Sequence, residues 1–194
     1  MTRIKHPAGK EAGFTLVELL IVAIILAILA AIVVPQFASS TDDAEASALR
    51  SNLAGIRSAI DLYYQQHGST FPGAVAATGG TCTGGTAGAG LIDTGTAFEE
   101  QLKYYSNAAG QTCSIRDVPA GGVVEFPFGP YIKGDVPANP VTGIATIAIE
   151  TTGNLAMTAP AATSQGWRYD TTSGKFIADD SVGVDSNGTV FDTY

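Results

Sequence analysis

Chemistry in this chain has to come from a short set of residues. Glu18 is an acid just inside an apolar run, FTLVELLIVAIILAILAAIVVPQF, that starts at Phe14 and holds no polar residue from Leu19 to Val34. An ionised carboxylate at mid-bilayer depth costs about 2.5 to 3.5 kcal/mol on insertion scales, less near the interface, so such an acid is usually kept for a partner. Cys82 and Cys113 are the only cysteines. In an exported domain one disulfide between them contributes about 2 to 4 kcal/mol; two free buried thiols are the alternative. Asp179, Asp180, Asp185, Asn187 and Asp192 cluster around a Gly-rich turn. Oxygen ligands at that spacing suit calcium, which takes carboxylates and carbonyls, while Asp-Ser-Asn-Gly is also a common turn sequence in a solvated acidic tail.

Other catalytic readings have little to build with. Past the first apolar residues the only histidine is His67, expected at a helix end as a surface or capping residue. Zinc sites and Ser-His-Asp machinery therefore lack parts. Glu99 and Glu100 are neighbours in sequence, and a glycosidase pair needs an opposed geometry that such spacing does not define. The glycines of GGTCTGGTAGAG are followed by no lysine in a Walker spacing and preceded by no strand signal, so they do not cradle phosphate. Net charge is −8, from 10 Lys+Arg against 18 Asp+Glu, and Arg3, Lys5 and Lys10 all precede the apolar run. That balance argues against a nucleic-acid surface. The expectation is a protein that is not an enzyme and requires no cofactor, with calcium admitted by the acidic cluster.

The elements that position these residues begin with the apolar run. As a helix, Phe14 to Phe37 spans about 36 Å, enough for a hydrocarbon core of roughly 30 Å. Basic residues lie before it and Asp42, Asp43 and Glu45 after it. The positive-inside rule then puts the N-terminus in the cytoplasm and the bulk of the chain outside. An ordinary secretory signal, releasing a soluble periplasmic binding protein, is the competing reading. It fits poorly: the run exceeds the roughly 7 to 15 apolar residues of such a signal, and the best small-residue cleavage pattern, Ala38-Ser39-Ser40, follows Pro35 and Phe37.

Beyond Thr41, Leu49, Leu53, Ile56, Ile60 and Tyr63 recur in a four-three alternation that draws one stripe along a helix. The helix is expected to reach about His67, where Gly68 supplies a stop, giving a rod roughly 80 Å long that is bent or interrupted at Pro35. Residues 68–95 read as an irregular loop pinned through Cys82. A short helix follows, with Thr96 and Glu99 spaced as a capping box and Phe98, Leu102 and Tyr105 on one face. Val123 to Phe126, Ile144 to Thr152, Gly166 to Asp170 and Lys175 to Ala178 read as strands, the last two joined by a Thr-Thr-Ser-Gly turn. The economical fold is α+β: a long N-terminal helix whose second half packs on a small antiparallel sheet.

Gly13 followed by Phe14-Thr15-Leu16-Val17-Glu18 resembles the processing motif of type IV prepilins and type II secretion pseudopilins. The resemblance implies a cytoplasmic leader over 1–13, cut after Gly13 by a membrane peptidase that also methylates the amine of Phe14. It implies a long helix over 14–67, in which 14–37 is the transmembrane and assembly half and 38–67 the amphipathic half. It implies an exported pilin-like domain over 68–194. Glu18 corresponds to the family's glutamate that neutralises the N-terminal amine of a neighbouring subunit, and Pro35 to its helix-distorting proline. The partners implied are further copies of the chain, minor pilins or pseudopilins, the prepilin peptidase and methyltransferase, an inner-membrane assembly platform with its ATPase, and the lipid bilayer. More loosely, FGPYIKGDVPANPVTG and GWRYDTTSGKF look like the exported domain of major pseudopilins, a group with a calcium site late in the domain. That leans the reading to a secretion pseudopilus, with a type IV pilus for adhesion, motility or DNA uptake as the alternative.

Overall fold

A computed structural model describes residues 13–116, 124–161 and 164–194, including all side chains except those of 35–40. The expected leader, apart from Gly13, and Val123 of the first expected strand lie outside the described residues. The chain divides into one unit ending at Thr41 and a second from Asp42 to Tyr194.

The first unit is the N-terminal part of helix α1 (Leu16–Gln66). Every described residue from Leu16 to Val34 is solvent-exposed, and this stretch is long and apolar enough to cross a membrane. A helix satisfies its backbone internally, which is the condition for a segment placed in hydrocarbon. Helical backbone continues through Pro35, so the helix does not end there.

In the second unit α1 buries Ala46, Leu49, Leu53, Ile56, Ile60 and Tyr63, each 4 % exposed or less. The expected stripe is thus the core face. The helix ends in a Schellman arrangement: Gly68 adopts φ +61°, and the Ser69 amide donates to the Tyr64 carbonyl at 3.0 Å. A three-stranded sheet completes this core, formed by β3 (Ile147–Glu150), β4 (Trp167–Asp170) and β5 (Phe176–Ala178) in the order β3-β4-β5. Trp167, Tyr169 and Phe176 from the sheet join Leu49, Leu53, Ile60 and Tyr63 from α1 and Phe98 and Leu102 from α2 (Gly95–Lys103) in one hydrophobic cluster.

The α+β class stands, with four corrections of detail. The sheet is mixed, because β3 runs parallel to β4 with Ile147 opposite Trp167, while β4 and β5 are antiparallel with Trp167 opposite Ala178. Residues 124–126 form no strand, although Phe126 is fully buried. A short antiparallel ladder of β1 (Tyr105–Ser106) and β2 (Thr112–Cys113) stands where no strand was expected. Helix α2 is capped by Thr94, whose hydroxyl accepts from the Ala97 amide at 3.1 Å, two residues before the expected Thr96. The β4–β5 turn falls where it was expected, with Gly174 at φ +72° donating to the Asp170 carbonyl at 2.9 Å.

Candidate functional site

Thr15 and Glu18 form a reciprocal cap at the start of α1. The Thr15 amide and hydroxyl both donate to Glu18 Oε2, at 2.8 and 2.7 Å, and the Glu18 amide donates back to Thr15 Oγ1 at 3.2 Å. This is a capping box, T-x-x-E, which satisfies two backbone donors that the helix itself leaves open. The signature is written in Thr15-Leu16-Val17-Glu18 but is masked by the apolar residues around it, whereas the expected capping box was Thr96 and Glu99. Its consequence is that the Glu18 carboxylate is held at the mouth of the helix by its own chain. Phe14 beside it is 77 % exposed. A Cβ added to Gly13 would meet no atom within 4 Å, so nothing in the described fold demands glycine at that position.

Cys82 and Cys113 are joined in a disulfide with Cα atoms 5.4 Å apart. Cys113 lies in β2, and the glycine-rich loop runs alongside: Gly88 donates to the Thr112 carbonyl, Thr112 to the Ala77 carbonyl and Ser114 to the Thr86 carbonyl. The loop is irregular but tied down along its length.

The acidic residues near the C-terminal end do not converge. Asp179, 1 % exposed in its side chain, accepts from Arg168 Nε at 2.8 Å, and Arg168 also pairs with Glu150 on β3. Asp180 Oδ1 accepts the Val182 and Gly183 amides at 3.0 and 2.8 Å. Asp192 Oδ2 accepts the Ala159 amide at 2.9 Å. Asp185 is bound by Arg50 and Tyr194. The Asn187 amide donates to Asp185 Oδ1 at 2.9 Å. Among the described residues no three of His, Cys, Asp and Glu are grouped to hold a metal ion.

His67 is not a surface residue: it is 4 % exposed and stacks on Tyr63 with ring centroids 3.7 Å apart. The Tyr63 carbonyl, 2.9 Å from Nδ1, can only accept, so Nδ1 carries the proton and Nε2 accepts from the Ser106 hydroxyl at 3.0 Å. Burial pushes the imidazole below its ordinary pKa, against the opposing hydrogen bonds to the Tyr63 and Asn107 backbone. Both ring nitrogens are thus engaged, and the ring is packed as part of the buried interior.

Residues 9–34 match the family described as "Prokaryotic N-terminal methylation motif". The chain carries an N-terminal methylation motif of the kind found in prepilins. Among curated proteins, this chain is 43 % identical over 54 residues to the type II secretion system core protein G of Pseudomonas aeruginosa, a match covering 28 % of this chain and 38 % of that protein. The corresponding protein of Klebsiella michiganensis is 38 % identical over 53 residues, 27 % of this chain and 37 % of its own. The type IV narrow pilus major component PilA5 of Thermus thermophilus is 43 % identical over 53 residues, 27 % of this chain and 46 % of its own. Each match thus spans less than half of the relative. No solved structure matches the chain. The Gly13–Phe14 bond lies within the matched residues, and the capping box sits immediately after it.

Proposed function

We propose that this chain is a structural subunit of a helical, pilus-like filament, assembled through the first half of α1 and anchored in the inner membrane before assembly. The observation that carries the reading is the Gly13–Glu18 segment at the head of a helix whose apolar residues are exposed on all sides. A helix that is apolar on every side is covered by lipid or by other helices rather than by water. The work of such a subunit is polymerisation, not catalysis.

The finer reading is a type II secretion pseudopilin that supports protein export, supported by the similarity to core protein G. Its partners are further copies, minor pseudopilins, the prepilin peptidase and methyltransferase, and a membrane platform driven by a separate ATPase. A type IV pilin is the second reading, supported by the equal identity to the narrow-pilus component.

Mass spectrometry of the N-terminal peptide from the native host tests the proposal, with N-methylated Phe14 as the expected result. A chain starting near Thr41 would mean ordinary signal cleavage and would overturn it. Glu18→Ala is expected to leave the protein inserted in the membrane and to abolish filaments seen by electron microscopy; normal filaments would remove Glu18 from the assembly mechanism.

A further inference from the structure

Calcium at the acidic C-terminal residues is implied by the looser resemblance to major pseudopilins, and the side chains present do not fit it. A calcium ion takes six to eight oxygens at about 2.3 to 2.6 Å, several of them carboxylates with lone pairs to spare. Asp185 has none to spare. Its Oδ1 accepts the Asn187 amide at 2.9 Å and the Thr189 amide at 2.8 Å. Its Oδ2 accepts Arg50 Nη2 at 2.6 Å and the Tyr194 hydroxyl at 2.7 Å. These four hydrogen bonds fill the approximately four acceptor sites of a carboxylate. Asp179 is held by Arg168, Asp180 by the Val182 and Gly183 amides of its own turn, and Asp192 by the Ala159 amide of a separate loop.

We infer that the positive charge organising the C-terminal loop of this protein is the Arg50 guanidinium, and that the loop holds its fold without calcium. Arg50 projects from α1 and does what a bound cation would do there: it neutralises Asp185, whose side chain is only 2 % exposed. A buried carboxylate without a cation is strongly disfavoured. The same guanidinium donates to the Tyr194 hydroxyl at 2.7 Å and lies over the Tyr194 ring at 4.4 Å from its centroid. Tyr194 in turn meets Phe191 edge-on at 5.7 Å, and Phe191 belongs to the hydrophobic core.

Two turns further along α1, Arg57 reinforces the arrangement by donating to the backbone oxygens of Phe176 and Tyr194. Both arginines therefore lace the C-terminal residues to the helix, and a cation supplied by the helix fixes the loop to it directly. A metal held by loop residues alone would not. The Tyr194 hydroxyl, then the Thr189 amide, with Asn187 and Arg50 adding to them, outweigh burial and hold the Asp185 carboxyl well below the usual carboxylate range.

The test uses the full chain in detergent micelles, with thermal unfolding followed by the fluorescence of Trp167, the only tryptophan. The expected midpoint is the same in excess EGTA and in millimolar calcium chloride. Arg50→Met, which keeps the apolar stem and removes the charge, is expected to lower the midpoint by roughly 5 °C or more in both buffers. Arg50→Lys is expected to recover part of that loss. A wild-type midpoint that falls in EGTA and returns with calcium would overturn the inference, as would an Arg50→Met variant as stable as the wild type. Should Arg50→Met fail to fold, the wild-type comparison still decides. The outcome is independent of whether the chain builds a filament.

Discussion

The two halves of α1 obey different rules although they form one helix. Its first half is apolar on every side, and each described residue from Leu16 to Val34 is exposed. Its second half is apolar on one stripe, and that stripe is buried against Trp167, Tyr169 and Phe176. A helix in water needs one apolar face; a helix without a polar face needs a different solvent. The contrast teaches that the stability of the second unit is written in the second stretch alone, and it can be attacked by making the same change in both.

Leu53→Ala leaves a cavity in the core and is expected to destabilise the second unit by about 2 to 5 kcal/mol, whereas Leu26→Ala should leave its unfolding midpoint unchanged. Equal losses from both, measured by thermal unfolding in micelles, would break the distinction. Reduction of Cys82–Cys113 is the next largest change. By the chain-entropy account it should cost about 2 to 4 kcal/mol in the second unit only, visible as a lower midpoint with dithiothreitol. Thr15→Val removes the reciprocal cap and should cost about 1 kcal/mol at the head of the helix, read as faster amide exchange over residues 16–18. Thr15→Ser should preserve protection.

The smallest effect is a pH dependence. His67 has a lowered pKa in the folded state, so the unfolded chain binds its proton first as pH falls. The stability contributed by the neutral ring is complete above the unfolded value of about 6.5 and is lost as pH drops through the folded pKa. The second unit should therefore become less stable from about pH 6.5 downward, and His67→Gln should flatten that slope. The Asp170 and Asp185 carboxyls act in a lower window, below about pH 4. For Asp170 the opposing effect of burial is outweighed by amides of Ser173, Thr172 and Asn154 and the Thr152 hydroxyl, and both groups are held below their ordinary values. Their stabilisation is present above the unfolded pKa and lost as pH falls through the folded one.

What could be read from the chain beforehand followed the range of the interactions. The stripe from Leu49 to Tyr63 and the stop at Gly68 depend on neighbours within a turn or two, and they appeared where spacing put them. The run Gly13–Glu18 was legible as a motif, and its capping box was equally local but was obscured by the apolar residues around it. The parallel pairing of β3 with β4 was not legible, because residues 151–166 between them carry no periodic signal of a crossover. Nor was the burial of His67, whose ring is completed by Ser106, 39 residues away. The acidic residues were equally hard to read from spacing: they are neighbours in sequence, while the cationic partner of Asp185 lies 135 residues earlier.

That separation also sets an order in time. Arg50 and Arg57 close onto residues 119 to 144 positions later, so the second unit cannot finish folding until residues as far on as Tyr194 have left the ribosome. The first half of α1 emerges before any of those contacts can form. At ~5–20 residues per second, it has on the order of ten seconds to enter a bilayer while the rest of the chain remains open. Long-range lacing thus serves as a delay, keeping residues 42–194 open while the apolar half of α1 meets its surroundings first.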